Sequence, residues 1–189
     1  MNKKILRNQL REHLAAMGKD EAQARSAAAG RLLCEQPEYL QADVIMIFLS
    51  TPQEIDTTPI ALRAWSDSKR VLAPRVSWEQ RRMLPIEIRS LTTDVQPGML
   101  GIREPVEGLP VPVSDIDLVV VPGLGFDARG NRLGRGRGFY DGFLRHRDFH
   151  AVACAIAYEE QVVESVPADE DDVCVDMLVT DVCVRRFSR

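Results

Sequence analysis

A segment rich in glycine and arginine is the part of the chain whose residue types and spacing could most directly do chemistry. It covers residues 123–141, where small and cationic residues alternate at Gly134, Arg135, Gly136, Arg137 and Gly138. Glycine lets backbone N–H groups come close to a ligand, and successive N–H groups in a turn form a concave anion site. Because the arginines add fixed positive charge, the segment predicts a site for a phosphate-bearing ligand, which we expect to be a nucleotide.

The residues on either side of this segment predict the elements that position it. Residues 116–121 form an apolar run that is typical of a buried strand, while residues 139–147 predict the start of a helix. A helix N-terminus carries partial positive charge and unpaired N–H groups, which favour anions. The order of strand, glycine segment and helix therefore supports the same phosphate ligand.

Other known glycine-rich motifs fit the segment less well. A Walker A loop needs Lys-Ser or Lys-Thr after its glycines, and neither pair follows here. Gly123, Gly125 and Ala128 approach the Rossmann fingerprint, but the later glycines keep the chain irregular where that fingerprint opens a helix. An RNA-binding Arg-Gly segment would be longer and disordered. Without its arginines, the segment would be interpreted as a plain surface loop.

Length and composition predict one domain, residues 1–189, with a sizeable core, because 45% of the 189 residues are hydrophobic. A net charge of −4 argues against tight nucleic-acid binding, so the cationic segment must act locally. No apolar run approaches the roughly 20 residues of a membrane span, and the N-terminus lacks the apolar core of a signal peptide. We therefore expect a cytoplasmic monomer that binds neither nucleic acid nor membrane.

The cysteines and histidines predict no metal site. The cysteines are widely spaced and form no C-x-x-C pair: Cys34, Cys154, Cys174 and Cys183. We expect reduced thiols, with Cys154 in the core because its neighbours are apolar. The histidines lie in polar surroundings without a spaced partner, so we assign no catalytic role to His13, His146 or His150.

Helix and strand patterns alternate along the chain. Residues 2–17 place leucines at helical spacing, with a basic opposite face that periodicity alone would leave in solvent. A second helix is expected at 20–34 with Asp20 as its N-cap, and a third near 60–65. Strands are expected at 44–49, 70–76, 83–88, 116–121, 151–158 and 175–180. Residues 92–114 contain too many prolines for a central strand. The alternation predicts an α/β fold in three layers with a mainly parallel sheet.

Carboxylates near the glycine segment are candidate magnesium ligands. Phosphoryl transfer requires backbone donors, fixed cations and a divalent metal, and Mg²⁺ prefers oxygen ligands such as carboxylates. Asp141 lies three residues beyond the last glycine of the segment, and a second ligand could come from the cluster 169–172 or from Asp176. Glu54 follows the strand at 44–49, where α/β sheets bind ligands, although an exposed loop carboxylate is the commoner outcome.

The same residues carry a family resemblance. The run Gly-Asn-Arg-Leu-Gly-Arg-Gly-Arg-Gly-Phe-Tyr-Asp at 130–141 resembles the signature of the 5-formyltetrahydrofolate cyclo-ligases, also called 5,10-methenyltetrahydrofolate synthetases. Residues 3–7, 48–56 and 161–180 resemble that family's basic helix, substrate loop and closing segment. The likeness therefore extends over nearly the whole chain, and it implies a Rossmann-like fold of the NagB/RpiA/CoA-transferase type.

The resemblance implies a reaction that needs ATP and Mg²⁺. The substrate would be 5-formyltetrahydrofolate, with or without a polyglutamate tail. Its formyl oxygen would accept the γ-phosphate of ATP, and nitrogen 10 would then close the ring to give 5,10-methenyltetrahydrofolate, ADP and phosphate. Two other functions remain open: an ATP-dependent enzyme for another formyl or amide substrate, and a nucleotide- or RNA-binding module without catalysis.

The resemblance also implies individual roles by position. ATP would contact Lys3, Lys4, Arg7, Arg132, Leu133, Gly134, Arg135, Gly136, Arg137, Gly138, Phe139 and Tyr140. The folate would contact Leu49, Glu54, Arg135, Gly136, Arg137, Gly138 and Phe139. The catalytic side chains would be Arg7, Arg135 and Tyr140, and magnesium would be bound by Asp141 and Asp172. Many relatives have Tyr where this chain has Phe139, so a hydroxyl there is not essential.

Overall fold

Helices and strands alternate along most of the chain in the computed structural model, which describes residues 2–188 apart from the side chain of Leu100. The helices are α1 (Lys3–Ala15), α2 (Lys19–Cys34), α3 (Pro37–Gln41), α4 (Thr58–Ser66) and α5 (Phe139–Leu144). The strands are β1 (Val44–Met46), β2 (Arg70–Ser77), β3 (Arg82–Ile88), β4 (Val95–Pro97), β5 (Arg103–Pro105), β6 (Leu118–Val121), β7 (Gly125–Phe126), β8 (Arg132–Leu133), β9 (Val152–Ala157), β10 (Met177–Thr180) and β11 (Val184–Arg186).

A seven-stranded sheet of order β11-β10-β9-β6-β1-β2-β3 forms the centre of the described structure. The five inner strands pair in parallel, while β11 and β3 pair antiparallel at the two edges. The three central strands β1, β6 and β9 are apolar along their whole length because helices and loops cover both faces, as parallel sheets require. The prediction of an α/β fold with a mainly parallel sheet is confirmed.

The two faces of the sheet are covered unequally. One face packs against the apolar sides of α1 to α4, which contribute Leu6, Leu33, Tyr39 and Ile60 among others. The other face packs against α5 and the surrounding loops, through residues such as Phe143. Two successive residues of β9 illustrate the alternation, since Cys154 belongs to the first core and Ala155 to the second. The molecule therefore has three layers, of which the second helical layer is thin.

The strand order reverses between β1 and β6. From β1 the chain crosses to β2 on one side, and it later returns through β6 to build the sheet on the other side. Parallel sheets of this kind bind ligands in the crevice beyond the carboxyl ends of the strands at such a reversal. The residues after β1 and β6, including Leu49 and Gly123, therefore lie at the expected position of a binding site.

The structure differs from the sequence predictions at several element ends. Gly18 rather than Asp20 is the N-cap of α2, so Asp20 lies in the first helical turn, and the strand predicted over 44–49 ends at Met46. The helix predicted over 139–147 ends at Leu144, with Arg145 as its C-cap. Strand β11 was missed because two of its three residues are arginines.

Candidate functional site

A cavity of about 780 Å³ opens at the carboxyl ends of β1 and β6. Residues after these strands form its floor, including Leu49 and Gly123. Its walls come from the glycine segment, from the turn between β2 and β3, and from the β4–β5 hairpin, which contributes Arg103. Part of the proline-rich stretch at 92–114, which the sequence excluded as a central strand, therefore borders the cavity.

The glycine segment folds as a short hairpin followed by an irregular stretch. Strands β7 and β8 pair antiparallel, and residues 134–138 then run without regular structure to α5. Gly136 and Gly138 have φ angles of 92° and 72°, which a residue with a side chain adopts only at a cost. The predicted irregularity of the segment is confirmed, and its exposed backbone faces the cavity.

The buried side chain of Asp127 fixes the turn of the β7–β8 hairpin. Its fully buried carboxylate accepts hydrogen bonds from the backbone N–H groups of Arg129, Asn131 and Val166, and from the side chain of Asn131. Burial by itself would raise the pKa of Asp127, but these hydrogen bonds outweigh it and lower the pKa below its usual value. The ionised side chain therefore fixes the turn that precedes the glycines.

Helix α1 presents two of its basic residues to the site. Its apolar side is buried in the core through Leu6, Leu10 and Leu14, which leaves Arg7 lining the cavity and Lys3 paired with Asp172, a residue of the cavity lining. Arg7 donates from Nε to the carbonyl oxygen of Gly134 at 2.9 Å. Periodicity alone would leave this basic face in solvent, but Lys3 and Arg7 are only partly exposed and contact other parts of the chain.

Lys3 joins α1 to the acidic segment near residue 170. Its Nζ lies 2.5 Å from Oδ2 of Asp172 and 2.6 Å from Oδ2 of Asp169. Partial burial alone would lower the pKa of Lys3, but these two carboxylates raise it. Burial would raise the pKa of Asp172, yet the hydrogen bond from Lys3 lowers it. Both side chains are therefore charged near neutral pH.

Arg132 and Asp141 form a second ion pair beneath the glycine segment. Nη2 of Arg132 donates to Oδ1 of Asp141 at 2.8 Å, and the Arg132 side chain is only 4% exposed. The backbone N–H of Val173 donates to the same carboxylate oxygen at 3.2 Å. These contacts place Asp141 beside the segment that carries Asp172, and both carboxylates line the cavity.

The carboxylates that line the cavity near the glycine segment are oxygen ligands of the kind that Mg²⁺ prefers. Among the described residues, no group of three or more His, Cys, Asp and Glu side chains is arranged to hold a metal ion. Mg²⁺, however, commonly takes one or two carboxylates and completes its shell with water and phosphate oxygens. Asp141 and Asp172 are carboxylates of the cavity lining that could form such a pair, and the lining contains no cysteine or histidine.

Two buried polar atoms lack a hydrogen-bond partner within the described residues: Nε of Arg132 and the hydroxyl of Tyr140. The Arg132 guanidinium lies over the Tyr140 ring, with Cζ 5.8 Å from its centroid. Burial raises the pKa of Tyr140, so its hydroxyl keeps its proton and can donate. Buried polar groups are rarely left unpaired, and Tyr140 and Arg132 both line the cavity, where a ligand could supply the partner.

Arg135 and Glu54 connect the glycine segment to the loop after β1. Nε of Arg135 donates to Oε1 of Glu54 at 2.9 Å, and its Nη2 donates to Oγ1 of Thr51 at 2.9 Å. The other carboxylate oxygen of Glu54 accepts from the backbone N–H and the hydroxyl of Thr51. Glu54 is therefore held by three donors rather than free in solvent.

The structure brings most of the expected site residues to one cavity. Arg7, Leu49, Glu54, Arg132, Tyr140, Asp141, Asp172 and residues 134–139 all line it. Lys3 does not line the cavity itself but pairs with Asp172, which does. Lys4 is exposed and Leu133 is buried, and neither of these two residues lines the cavity.

Several lining residues were missed by the sequence analysis, among them Arg11, Trp78, Arg81 and Arg103. For Trp78 a signal existed, because a lone tryptophan stands among polar residues between two predicted strands.

The fold and the site together define an α/β protein with an arginine-lined crevice at the reversal of its strand order. Comparison with known proteins is consistent with that class. The model of the 5-formyltetrahydrofolate cyclo-ligase family matches residues 1–181. The chain is 31% identical to the mouse 5-formyltetrahydrofolate cyclo-ligase, over 92% of this chain and 91% of the relative. It is 28% identical to the Escherichia coli K12 protein of the same name, over 90% and 96%.

A solved structure gives the same result. The NMR structure of the Aquifex aeolicus 5,10-methenyltetrahydrofolate synthetase superposes with a TM-score of 0.86 and 31% identity, covering 100% of this chain and 94% of that one. The chain belongs to the 5-formyltetrahydrofolate cyclo-ligase family and is an enzyme of that family. No helix in the described part of the chain is long and apolar enough to cross a membrane.

Proposed function

We propose that this enzyme converts 5-formyltetrahydrofolate into 5,10-methenyltetrahydrofolate, with ATP consumed as its Mg²⁺ complex and ADP and phosphate released. The observation that carries the proposal is the contact between Arg135 and Glu54. It joins the segment suited to phosphate to the loop expected to bind the pterin. A donor of phosphate and its acceptor would therefore meet in one cavity.

The end of the cavity that is lined by the glycine segment and its arginines suits the triphosphate. Arg7, Arg132 and Arg135 supply fixed positive charge around the exposed backbone of residues 134–138. Lys3 stands beside Asp172 and would extend that charge toward the nucleotide. Mg²⁺ held by Asp141 and Asp172 would neutralise charge on the phosphate oxygens and orient the terminal group. The family resemblance also assigns nucleotide contacts to Lys4, Leu133, Gly136, Arg137 and Phe139, of which Gly136, Arg137 and Phe139 line the cavity and Lys4 and Leu133 do not.

The end of the cavity that contains Glu54 and Leu49 suits a folate. Glu54 presents two carboxylate oxygens where the N–H donors of a pterin ring could bind, and Leu49 offers an apolar surface beside it. Because three donors already hold Glu54, its carboxylate is oriented before the ligand arrives. A preoriented acceptor lowers the entropy lost on binding. Residues 135–139 would lie between the two substrates.

The proposed reaction proceeds in two steps. The formyl oxygen attacks the γ-phosphorus, the bond from that phosphorus to the β–γ bridging oxygen breaks, and ADP leaves. The lone pair of nitrogen 10 then attacks the formyl carbon, the carbon–oxygen bond breaks, phosphate departs with the formyl oxygen, and the proton of nitrogen 10 passes to water. Phosphorylation is needed because an amide oxygen is otherwise a poor leaving group.

Each catalytic side chain has a defined part in these steps. Arg135 and Arg7 would stabilise the negative charge on the transferring phosphoryl group, a contribution that preoriented charges make strongly. The hydroxyl of Tyr140, which has no protein partner among the described residues, would donate a hydrogen bond to an oxygen at the reacting centre. Arg132 would hold Asp141 in position from beneath.

The remaining features of the proposal concern the whole chain. We infer that residues 1–189 act as one domain and as a monomer, in the cytoplasm. The four free cysteines agree with a reducing compartment. The net charge of −4 agrees with the absence of a nucleic-acid partner.

The experiment that tests the function mixes the purified protein with MgATP and 5-formyltetrahydrofolate and follows the ultraviolet absorption of the methenyl product. ADP, phosphate and methenyl product should appear in equal amounts, and none should form when ATP, Mg²⁺ or the folate is left out. ATP hydrolysis without the methenyl product, or no reaction at all, would reject the proposed function.

A further inference from the structure

The turn that follows β9, residues 158–161, contacts both of the loops that are proposed to bind the substrates. It lies at the carboxyl end of β9, which pairs in parallel with β6. Two of its side chains carry polar groups and are nevertheless buried, since Tyr158 is 3% exposed and Gln161 is 4% exposed. Neither residue lines the cavity that contains Glu54. Buried polar groups are costly unless they are hydrogen-bonded, so the partners of these two side chains indicate what the turn holds in place.

The side-chain amide of Gln161 holds the first residues of the glycine segment. Its Nε2 donates to the carbonyl oxygens of Gly123 and Leu124, at 2.8 and 3.2 Å. The backbone N–H of Leu124 donates to the carbonyl oxygen of Leu133 at 2.8 Å. Because Leu133 directly precedes residues 134–138, Gln161 supports the part of the β7–β8 hairpin from which these residues extend.

The chain beyond the turn makes two further contacts with the same hairpin through its backbone. The N–H of Val163 donates to the carbonyl oxygen of Phe126 at 2.8 Å, and the N–H of Val166 donates to Oδ2 of Asp127 at 3.0 Å. These two contacts do not depend on the side chain at position 161. A variant of Gln161 should therefore keep the hairpin in place as a whole while it frees the residues next to Gly123.

The hydroxyl of Tyr158 leads to the other loop. Its oxygen lies 3.0 Å from Oγ of Ser26 in α2, and this Oγ accepts the backbone N–H of Asp56 at 3.0 Å. Asp56 is two residues beyond Glu54 and ends the loop of residues 50–56, which is proposed to bind the pterin. Ser26 is only 2% exposed. Tyr158 and Ser26 therefore fix the end of this loop from inside the protein.

Other contacts keep the turn itself in one position. The backbone N–H of Tyr158 donates to Oε1 of Gln161 at 2.8 Å, which joins the two ends of the turn. The backbone N–H of Glu159 donates to Oδ1 of Asp181 at 2.9 Å. The Arg25 guanidinium lies over the Tyr158 ring, with Cζ 5.4 Å from the centroid, and its Nε donates to Oδ2 of Asp181 at 2.6 Å. The turn is thus held against α2 and against the residues after β10.

We propose that Tyr158 and Gln161 are positioning residues that set the separation between Glu54 and the glycine segment, an assignment that rests on the proposed function for the identity of the two substrates. Gln161 acts on the segment proposed for the triphosphate, and Tyr158 acts through Ser26 on the loop proposed for the pterin. Phosphoryl transfer depends chiefly on the positioning of donor and acceptor. One four-residue turn that lies outside the cavity therefore holds the γ-phosphate and the formyl oxygen at reacting distance.

Steady-state kinetics with both substrates test the two contacts of the turn separately. Gln161→Met keeps the approximate length of the side chain and removes its hydrogen bonds. It should lower kcat roughly 10- to 100-fold, the scale on which small displacements of reacting groups act, and raise the KM for ATP. Ser26→Ala should raise the KM for 5-formyltetrahydrofolate roughly 3- to 10-fold, the scale of one hydrogen bond, and leave the KM for ATP near the parent value.

Tyr158→Phe tests whether Tyr158 acts through Ser26. It should raise the KM for 5-formyltetrahydrofolate less than Ser26→Ala does, because the N–H of Asp56 keeps its bond to Ser26. The double variant Ser26→Ala/Tyr158→Phe should match Ser26→Ala alone, since the two residues belong to one chain of contacts. Fully additive effects would contradict this connection.

Two buried or partly buried side chains elsewhere supply matched controls. The hydroxyl of Tyr39, a fully buried residue, donates to Asp67, and Nε2 of Gln36 donates to the carbonyl oxygen of Leu32. Neither Tyr39 nor Gln36 lines the cavity. Tyr39→Phe and Gln36→Met should also lose a hydrogen bond but leave kcat and both KM values near those of the parent. If these controls change the constants as much as the variants of the turn do, the positioning role is rejected.

Hydrogen exchange measured by mass spectrometry follows the two loops without turnover. Gln161→Met should speed exchange in residues 123–138 and leave residues 50–56 unchanged, whereas Ser26→Ala should do the reverse. Unchanged exchange in both segments, or equal acceleration of both in each variant, would contradict the proposal. If Gln161→Met fails to fold, Gln161→Asn takes its place, because its shorter amide cannot reach both sets of partners, and the same selective response is required of it.

The outcomes separate this assignment from the proposed function. If methenyl product forms but the variants of Gln161 and Ser26 alter the same constants to the same degree, the positioning role is wrong and the function stands. If no methenyl product forms but hydrogen exchange responds selectively in the two loops, the function is wrong and the connection of the turn to both loops stands.

Discussion

Arg135 and Glu54, 81 residues apart in the chain, form an ion pair at 2.9 Å across the mouth of the cavity. The Arg135 side chain is 36% exposed and that of Glu54 is 13% exposed, so the pair borders both solvent and cavity. Glu54 is proposed to bind the folate, and Arg135 is proposed to contact both the folate and the transferring phosphate. Bound substrates must therefore either displace this ion pair or form hydrogen bonds beside it. Both substrates would contact the guanidinium of Arg135.

Replacement of Arg135 should affect catalysis far more than folding. We expect Arg135→Ala to lower turnover by more than ~100-fold, because a preoriented charge acts on the transition state of phosphoryl transfer. Steady-state rates of methenyl product formation measure the effect. Arg147→Ala is the control, since its side chain is 90% exposed. Turnover within a few-fold of the parent would remove Arg135 from the mechanism.

Glu54→Gln should weaken the binding of the folate without weakening the binding of ATP. The amide loses the charge that attracts pterin N–H donors, and its NH₂ group opposes the donors of Thr51 and Arg135 that now surround the carboxylate. We expect KM for 5-formyltetrahydrofolate to rise roughly 10- to 100-fold, with the KM for ATP little changed. Glu35→Gln, an exposed substitution of the same type, should leave both constants unaltered. An equal rise in both KM values would contradict the assignment of Glu54 to the folate.

Asp141→Asn should reduce turnover by more than ~100-fold and raise the Mg²⁺ concentration needed for half-maximal rate. Asp172→Asn should shift the Mg²⁺ dependence in the same direction. Because Arg132 is 4% exposed and pairs with Asp141, the Asp141 variant should also lose thermal stability, since it leaves a buried charge unpaired. Magnesium titrations of activity, set beside melting curves, separate the two effects. An unchanged Mg²⁺ dependence in both variants would exclude these carboxylates as ligands.

Asp127→Asn should destabilise the fold in a pH-dependent manner. The pKa of Asp127 is lowered in the folded state, so its contribution is complete above the pKa of the unfolded chain and is lost as pH falls through the folded value. We expect a loss of roughly 1.5–3 kcal/mol at pH 7, the range for a hydrogen bond to a charged group, and a smaller loss near pH 3. Urea unfolding of parent and variant at both pH values measures this difference. Asp20→Asn, at an exposed position, should show no comparable trend.

The parts of the fold that sequence could predict are those governed by local pattern. Strands β6 and β9 are apolar along their length because both faces are buried, and the spacing of Leu6, Leu10 and Leu14 follows one face of a helix. The irregular glycine segment also follows from local chemistry. Element ends were less predictable, since the N-cap of α2 and the end of α5 depend on small differences between neighbouring residues.

The pairing of the site residues could not be predicted from pattern. Lys3 meets Asp172 across 169 residues, and Arg135 meets Glu54 across 81. Such contacts depend on the strand order, which reverses between β1 and β6, and no local signal encodes that order. Residue types and the family resemblance identified the candidates, whereas the sheet topology brings them into one cavity. Trp78 was missed because its signal, a lone aromatic residue in a polar turn, is not part of any periodic pattern.

The most direct test of phosphoryl transfer to the formyl oxygen uses substrate labelled with ¹⁸O in the formyl group. The enzyme is incubated with MgATP and this substrate, and the released phosphate is examined by ³¹P NMR or mass spectrometry. The account predicts that each phosphate molecule carries the formyl ¹⁸O, because the carbon–oxygen bond breaks after the oxygen has joined phosphorus. Unlabelled phosphate formed together with methenyl product would contradict it.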